Sequence, residues 1–78
     1  MNKKQEKEIL TKIGATIKKK REEAGLSLRE LSGMTNIDFS NIAKIEKGEI
    51  NITILTLVQL AASLGLNLSD FDPNDLKK

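Results

Sequence analysis

Apolar residues in the first third of the chain recur at helical spacing: Ile9 or Leu10, Ile13, Ile17 and Ala24, with charged residues between them. Steps of three and four place them on one helix face. They predict a helix that begins before Ile9 and runs to about Glu23. Gly25 closes it, because glycine takes the positive φ of a helix exit without steric cost. Ser27 opens a second helix, and Glu30 three residues later completes a capping box. This helix spans about Leu28–Met34, with Leu28 or Leu31 facing inward. Asn36-Ile37 forms a tight turn. Asp38 caps a third helix through about Lys47, with Ile42 and Ile45 inward, and Gly48 ends it. Thr53 caps a fourth through Leu64, whose stripe is Leu57, Leu60, Ala61 and Leu64, and Gly65 stops that one. Ser69-Asp70-Phe71 predicts a short fifth helix from near Asn67, ending before Pro73, and Asp72–Lys78 reads as a loose polar tail. The alternation at Ile50–Ile54 is too short for a strand. The expected class is all-α, four to five short helices with tight joints.

Length and composition narrow the possibilities. Seventy-eight residues make one small domain, here 1–78 with a core over 9–71 and a tail over 72–78. There is no Cys and no His. Disulfides, Cys/His zinc sites and catalysis by either residue are therefore excluded. No carboxylate pair falls in a glycine-rich loop, a metal pattern or a nucleophile motif, so neither an enzyme nor a metal or other cofactor is expected. No apolar run is long enough to span a membrane, and the charged start MNKKQEKEIL lacks the apolar segment of a secretory signal. The expectation is a soluble, cytoplasmic protein.

The net charge of +2 is unevenly spread. Residues 1–25 hold eight Lys/Arg against four Glu, an excess of +4, while residues 26–50 hold three basic and four acidic groups. A basic end suits a polyanion only weakly, and charge alone favours the plainer reading of a solvated helix face.

The second and third helices are each about two turns long and joined by a very short turn. That is the helix-turn-helix arrangement, which sets one helix in the DNA major groove and lays the other across the backbone. Beyond this, the segment Ile13–Phe71 resembles the phage-repressor, or XRE/Cro, family of helix-turn-helix domains, with a lambda-repressor-like fold. The resemblance covers about three quarters of the chain. It rests on Ile13-Gly14, Ile17, Arg21, Gly25-Leu26-Ser27, Leu31, Ile42, Ile45-Glu46-x-Gly48, Leu57, Leu60-Ala61, Leu64-Gly65 and Phe71, in that order and spacing.

The resemblance implies roles residue by residue. Arg21 and Glu46 match the family's partly buried ion pair. Phe39, Ser40 and Lys44 fall at base-reading positions. Lys44 has donors for guanine O6/N7, Ser40 suits either kind of base, and Phe39 suits a thymine methyl. Two alternatives stay open: Phe39 packing on the second helix, and Lys44 meeting a phosphate. Ser27, Leu28, Asn41, Lys47, Gly48 and Asn51 fall at or near backbone-contacting positions. The chain departs from the family pattern at Leu28, where Gln is usual, at Ser32, where Ala is usual, at Ile52, where Pro is usual, and at Leu55, where the family is polar. Ile50, Ile52, Leu55 and the surroundings of Phe71 form a candidate homodimer surface, with core filling as the alternative reading. The implied function is a small dimeric transcriptional regulator on double-stranded DNA, bound to a palindromic operator and so nucleoid-associated. A competing reading is an antitoxin-like module whose tail binds a partner protein.

Overall fold

The computed structural model describes residues 1–71. The tail at 72–78, and with it the expected stop before Pro73, lies outside the described residues. Four α-helices and one 3₁₀ turn follow in order: α1 Lys3–Glu23, α2 Leu28–Met34, α3 Phe39–Glu46, α4 Ile54–Leu64, and the turn Leu68–Phe71. There is no strand among the described residues. The fold is all-α.

α1 begins at Lys3, six residues ahead of the first apolar position of its stripe. A polar capping box sets this start. The Asn2 side chain accepts from the Gln5 N–H at 2.8 Å, and the Asn2 N–H donates to Gln5 Oε1 at 3.0 Å. α2 has the same device, with the Ser27 hydroxyl accepting from the Glu30 N–H at 3.0 Å and the Ser27 N–H donating to Glu30 Oε1 at 2.9 Å. Asp38 stands at the N-cap of α3 but makes no side-chain capping bond; its carboxylate accepts from the Ser40 hydroxyl instead. Thr53 caps α4 through the Thr56 N–H.

The core is Ile17 of α1, Leu31 of α2, Ile42 and Ile45 of α3, Leu57, Leu60 and Ala61 of α4, and Phe71. Leu28, Ile37, Ile50, Ile52 and Leu64 pack partly buried against it. Phe71 is 5% exposed and closes one end of this core. It therefore offers no face to a second subunit, which corrects its assignment to a dimer surface. Its 3₁₀ turn is too short to show a period, so only contact with the other helices reveals which way the ring points.

α1 and α3 approach with no side chain between them at Gly14. A Cβ there would overlap the carbonyl oxygens of Ile45 and Glu46. Just beyond α3, Gly48 has φ +72° and lies against the α1 backbone, where an added Cβ would meet the Thr11 Cα and N at 2.8 Å. Lys7 fastens the same joint by donating to the Gly48 carbonyl at 2.6 Å. The last turn of α3 is thus held against α1 at two glycines and one lysine.

Candidate nucleic-acid interface

α2 and α3 meet through a turn whose polar groups are satisfied locally. The Ser32 hydroxyl donates to the Ile37 carbonyl at 2.7 Å, the Thr35 hydroxyl donates to the Leu31 carbonyl at 3.1 Å, and the Ile37 N–H donates to Thr35 Oγ1 at 3.3 Å. Ser32, where the family has Ala, therefore bridges helix and turn. Paired backbone groups make so short a turn stable in a half-buried position.

With Ile42 and Ile45 buried, the opposite face of α3 presents Phe39, Ser40, Asn41 and Lys44 to solvent. Lys47 follows at the C-cap and is also exposed. Phe39 is 37% exposed, and the Arg29 guanidinium of α2 sits over its ring, 4.6 Å from the centroid. The ring of Phe39 thus meets a side chain of α2 while about a third of its surface stays exposed, which is compatible with either reading. Ser40 is engaged with the Asp38 carboxylate.

The structure brings Arg21 and Glu46 together in two parallel bonds. Arg21 Nε donates to Glu46 Oε2 at 2.7 Å and its Nη2 to Oε1 at 3.1 Å, while Nη1 donates to the Leu26 carbonyl at 2.8 Å. The side chains are 11% and 5% exposed. A bidentate fork in which all three guanidinium nitrogens donate is the geometry in which a buried pair is tolerated. The bond to Glu46, more than the opposing effect of burial, holds the Arg21 pKa above its ordinary value.

This pairing changes the electrostatics of the surface. Residues 26–50 are net acidic by count, but Glu46 is neutralised from α1. Glu30 closes the α2 cap, its carboxyl held below the usual range first by the Ser27 N–H and then by the Ser27 hydroxyl. Lys18, Leu28, Glu46 and Lys47 line one shallow cleft, so Lys18 of α1 joins Leu28 and Lys47 at the same surface. Asn41 and Asn51 line a second cleft, with Ile50 and Ile52 at its wall.

At two of the backbone-contact positions, backbone groups are already engaged within the chain. Gly48 is buried, its N–H donates to the Ile45 carbonyl at 3.0 Å, and its carbonyl is taken by Lys7. Neither backbone group is available to a phosphate. Ser27 likewise spends its N–H on the Glu30 carboxylate, and its hydroxyl accepts the Glu30 N–H. Arg29, at the edge of this face, is not singled out by the sequence. On a polar helix face it resembles any solvated charge, and its partner lies ten residues away on another helix.

Around α4, Ile54, Leu55 and Val58 are 63%, 72% and 41% exposed. Ile50 and Ile52 are half-buried against the core, so the exposed apolar strip centres on α4 rather than on the preceding loop.

Comparison with known proteins adds the family. A helix-turn-helix family model matches residues 17–71. None of the curated proteins searched matches. Among solved structures, the restriction-modification controller protein C.AhdI from Aeromonas hydrophila is 26% identical, with 80% of this chain and 94% of that one covered and a TM-score of 0.75. A tetramer of the controller C.Esp1396I in complex with its natural 35 base-pair operator is 29% identical, covering 90% and 96%, with a TM-score of 0.76. A transcriptional regulator from Vibrio cholerae is 30% identical over 92% of this chain and 40% of its own, with a TM-score of 0.80. A tight α2–α3 pair with its polar face turned outward, matched across most of its length to this sequence pattern, places the chain in the helix-turn-helix family of DNA-binding transcriptional regulators.

Proposed function

We propose that the protein is a dimeric, sequence-specific regulator whose α3 enters the major groove of a palindromic operator. The observation that carries this is the outward face of α3, where Phe39, Asn41 and Lys44 stand clear of the core on a helix pinned to α1. Lys44 is the guanine-reading candidate on α3, and Ser40 reads a base only by giving up its bond to Asp38. Lys18, Lys47 and Asn51 flank the reading face and, with Asn41 on its edge, serve phosphates, with the N-terminal turn of α2 at Leu28 across the backbone.

The dimer rests on the strip Ile54, Leu55 and Val58, which a monomer would leave in water. Ile50 and Ile52 lie at its edge. A two-fold pairing there would set two recognition helices about 34–36 Å apart, one turn of DNA. That the related controller C.Esp1396I is found as a tetramer on its own operator supports this arrangement. No helix among the described residues is long and apolar enough to cross a membrane, and a cytoplasmic, nucleoid-associated location follows from the proposed role.

Selection of bound duplexes from a random pool, at roughly physiological salt where non-specific binding is weak, tests the reading. Enrichment of an inverted repeat with half-sites one turn apart is expected. Enrichment of a single half-site removes the dimer, and no enrichment removes sequence-specific binding. On the enriched site, Lys44→Ala is expected to cost about 1–3 kcal/mol and relax one base position. Uniform weakening across all sequences would make Lys44 a phosphate contact.

A further inference from the structure

We propose that Arg29 of α2, held on the ring of Phe39, reads a guanine next to a thymine, so that one base step is recognised by a side-chain pair drawn from both helices. This rests on the DNA-binding reading and goes beyond it. It makes a residue outside the recognition helix a determinant of specificity.

Three observations carry it. The guanidinium lies 4.6 Å from the Phe39 ring centroid, within the range of a cation–π contact. Phe39 is the first residue of α3, and the N-terminal end of a recognition helix is the end that meets base edges. Among the described residues, the ion pairs are Lys20–Glu23 and Arg21–Glu46, and neither engages the Arg29 fork. The guanidinium lies over the ring, and no hydrogen bond among the described residues occupies its N–H donors. A planar fork matches guanine O6 and N7 in two bonds and stacks on an aromatic face, a combination that the point charge of an ammonium does not reproduce. Arg29 covers one face of the ring, and the remaining exposed part of Phe39 is apolar and suits a thymine C5 methyl on the neighbouring base. An arginine free in solvent would lose side-chain entropy on docking, and the stack meets part of that cost beforehand.

The test is equilibrium binding of the full chain to its selected duplex and to every single base-pair variant of it, at fixed salt. Wild-type protein is expected to lose about 5- to 150-fold in affinity when one particular guanine is replaced. Arg29→Lys keeps the charge, and Phe39→Leu keeps apolar bulk without the ring. Both are expected to bring that ratio close to one at the same base pair and to leave the other positions discriminated. Both side chains are exposed, so thermal midpoints should stay close to wild type.

Full discrimination retained in Arg29→Lys would overturn the proposal. So would Arg29→Ala weakening every duplex alike with a shallower salt dependence, the mark of a phosphate contact. Discrimination that survives Phe39→Leu would show that the ring does not position the fork. A wild type that prefers no sequence would show instead that specific DNA binding itself fails, and this proposal with it.

Discussion

At the scale of single residues, the Arg21–Glu46 pair is the most exacting feature. Glu46→Ala leaves a guanidinium buried at 11% side-chain exposure with two donors unmet. The expected loss is about 3–5 kcal/mol, against a total of about 4–12 kcal/mol for a chain of this length at typical per-residue stability. Urea unfolding followed by circular dichroism should show the midpoint collapse. Glu30 offers a gentler probe. Its carboxyl is held below the ordinary value of 4.5 by Ser27, so the stabilisation it gives α2 is present at neutral pH and lost as pH falls through the depressed folded pKa. An NMR titration should place the Glu30 midpoint below that of a model peptide, and Ser27→Ala should raise it part of the way, since the backbone N–H remains. The Arg21–Glu46 partnership was legible only through the family spacing, because nothing local links residues so far apart. Arg29 was not legible at all. A cation–π contact between helices is a property of tertiary placement, and a charged residue on a two-turn helix carries no mark of it.

At the scale of elements, the helix limits were largely legible because the chain states them chemically. Ser27 with Glu30, Thr53, Gly25, Gly48 and Gly65 punctuate the chain where helices start and stop. The start of α1 was not, because apolar periodicity begins at Ile9 while the helix begins at a polar box made by Asn2 and Gln5. Nor does sequence alone reveal how closely elements approach. Gly14 sits inside a helix, where glycine normally weakens the structure. Its use is the bare contact with the carbonyls of Ile45 and Glu46. Gly14→Ala should raise the intrinsic helicity of α1 and yet destabilise the protein by about 1–3 kcal/mol, because α3 has to move away. A thermal midpoint lowered by about 4–8 °C per kcal/mol is the readout. A midpoint unchanged or raised would mean that the two helices slide apart freely.

At the scale of the whole molecule, the all-α class and the helix-turn-helix followed from the spacing of apolar residues and caps. The assembly surface was only partly legible, since Ile50 and Ile52 turn half inward and Phe71 wholly so, while Ile54 and Val58 join Leu55 outside. If that strip makes the dimer, Leu55→Glu should yield a folded monomer by sedimentation. Operator affinity should then fall steeply while affinity for an isolated half-site stays unchanged. A dimer that persists would place the interface elsewhere. The fastening of α3 to α1 through Gly14, Gly48 and Lys7 also bears on the thermodynamics of recognition. A helix already seated arrives at the groove with its conformational entropy spent, so no ordering of the recognition helix accompanies binding. Calorimetry on the operator should then find a heat-capacity change that matches the buried contact surface alone, without the excess, worth roughly 1,000–3,000 Å² of burial, that coupled folding adds.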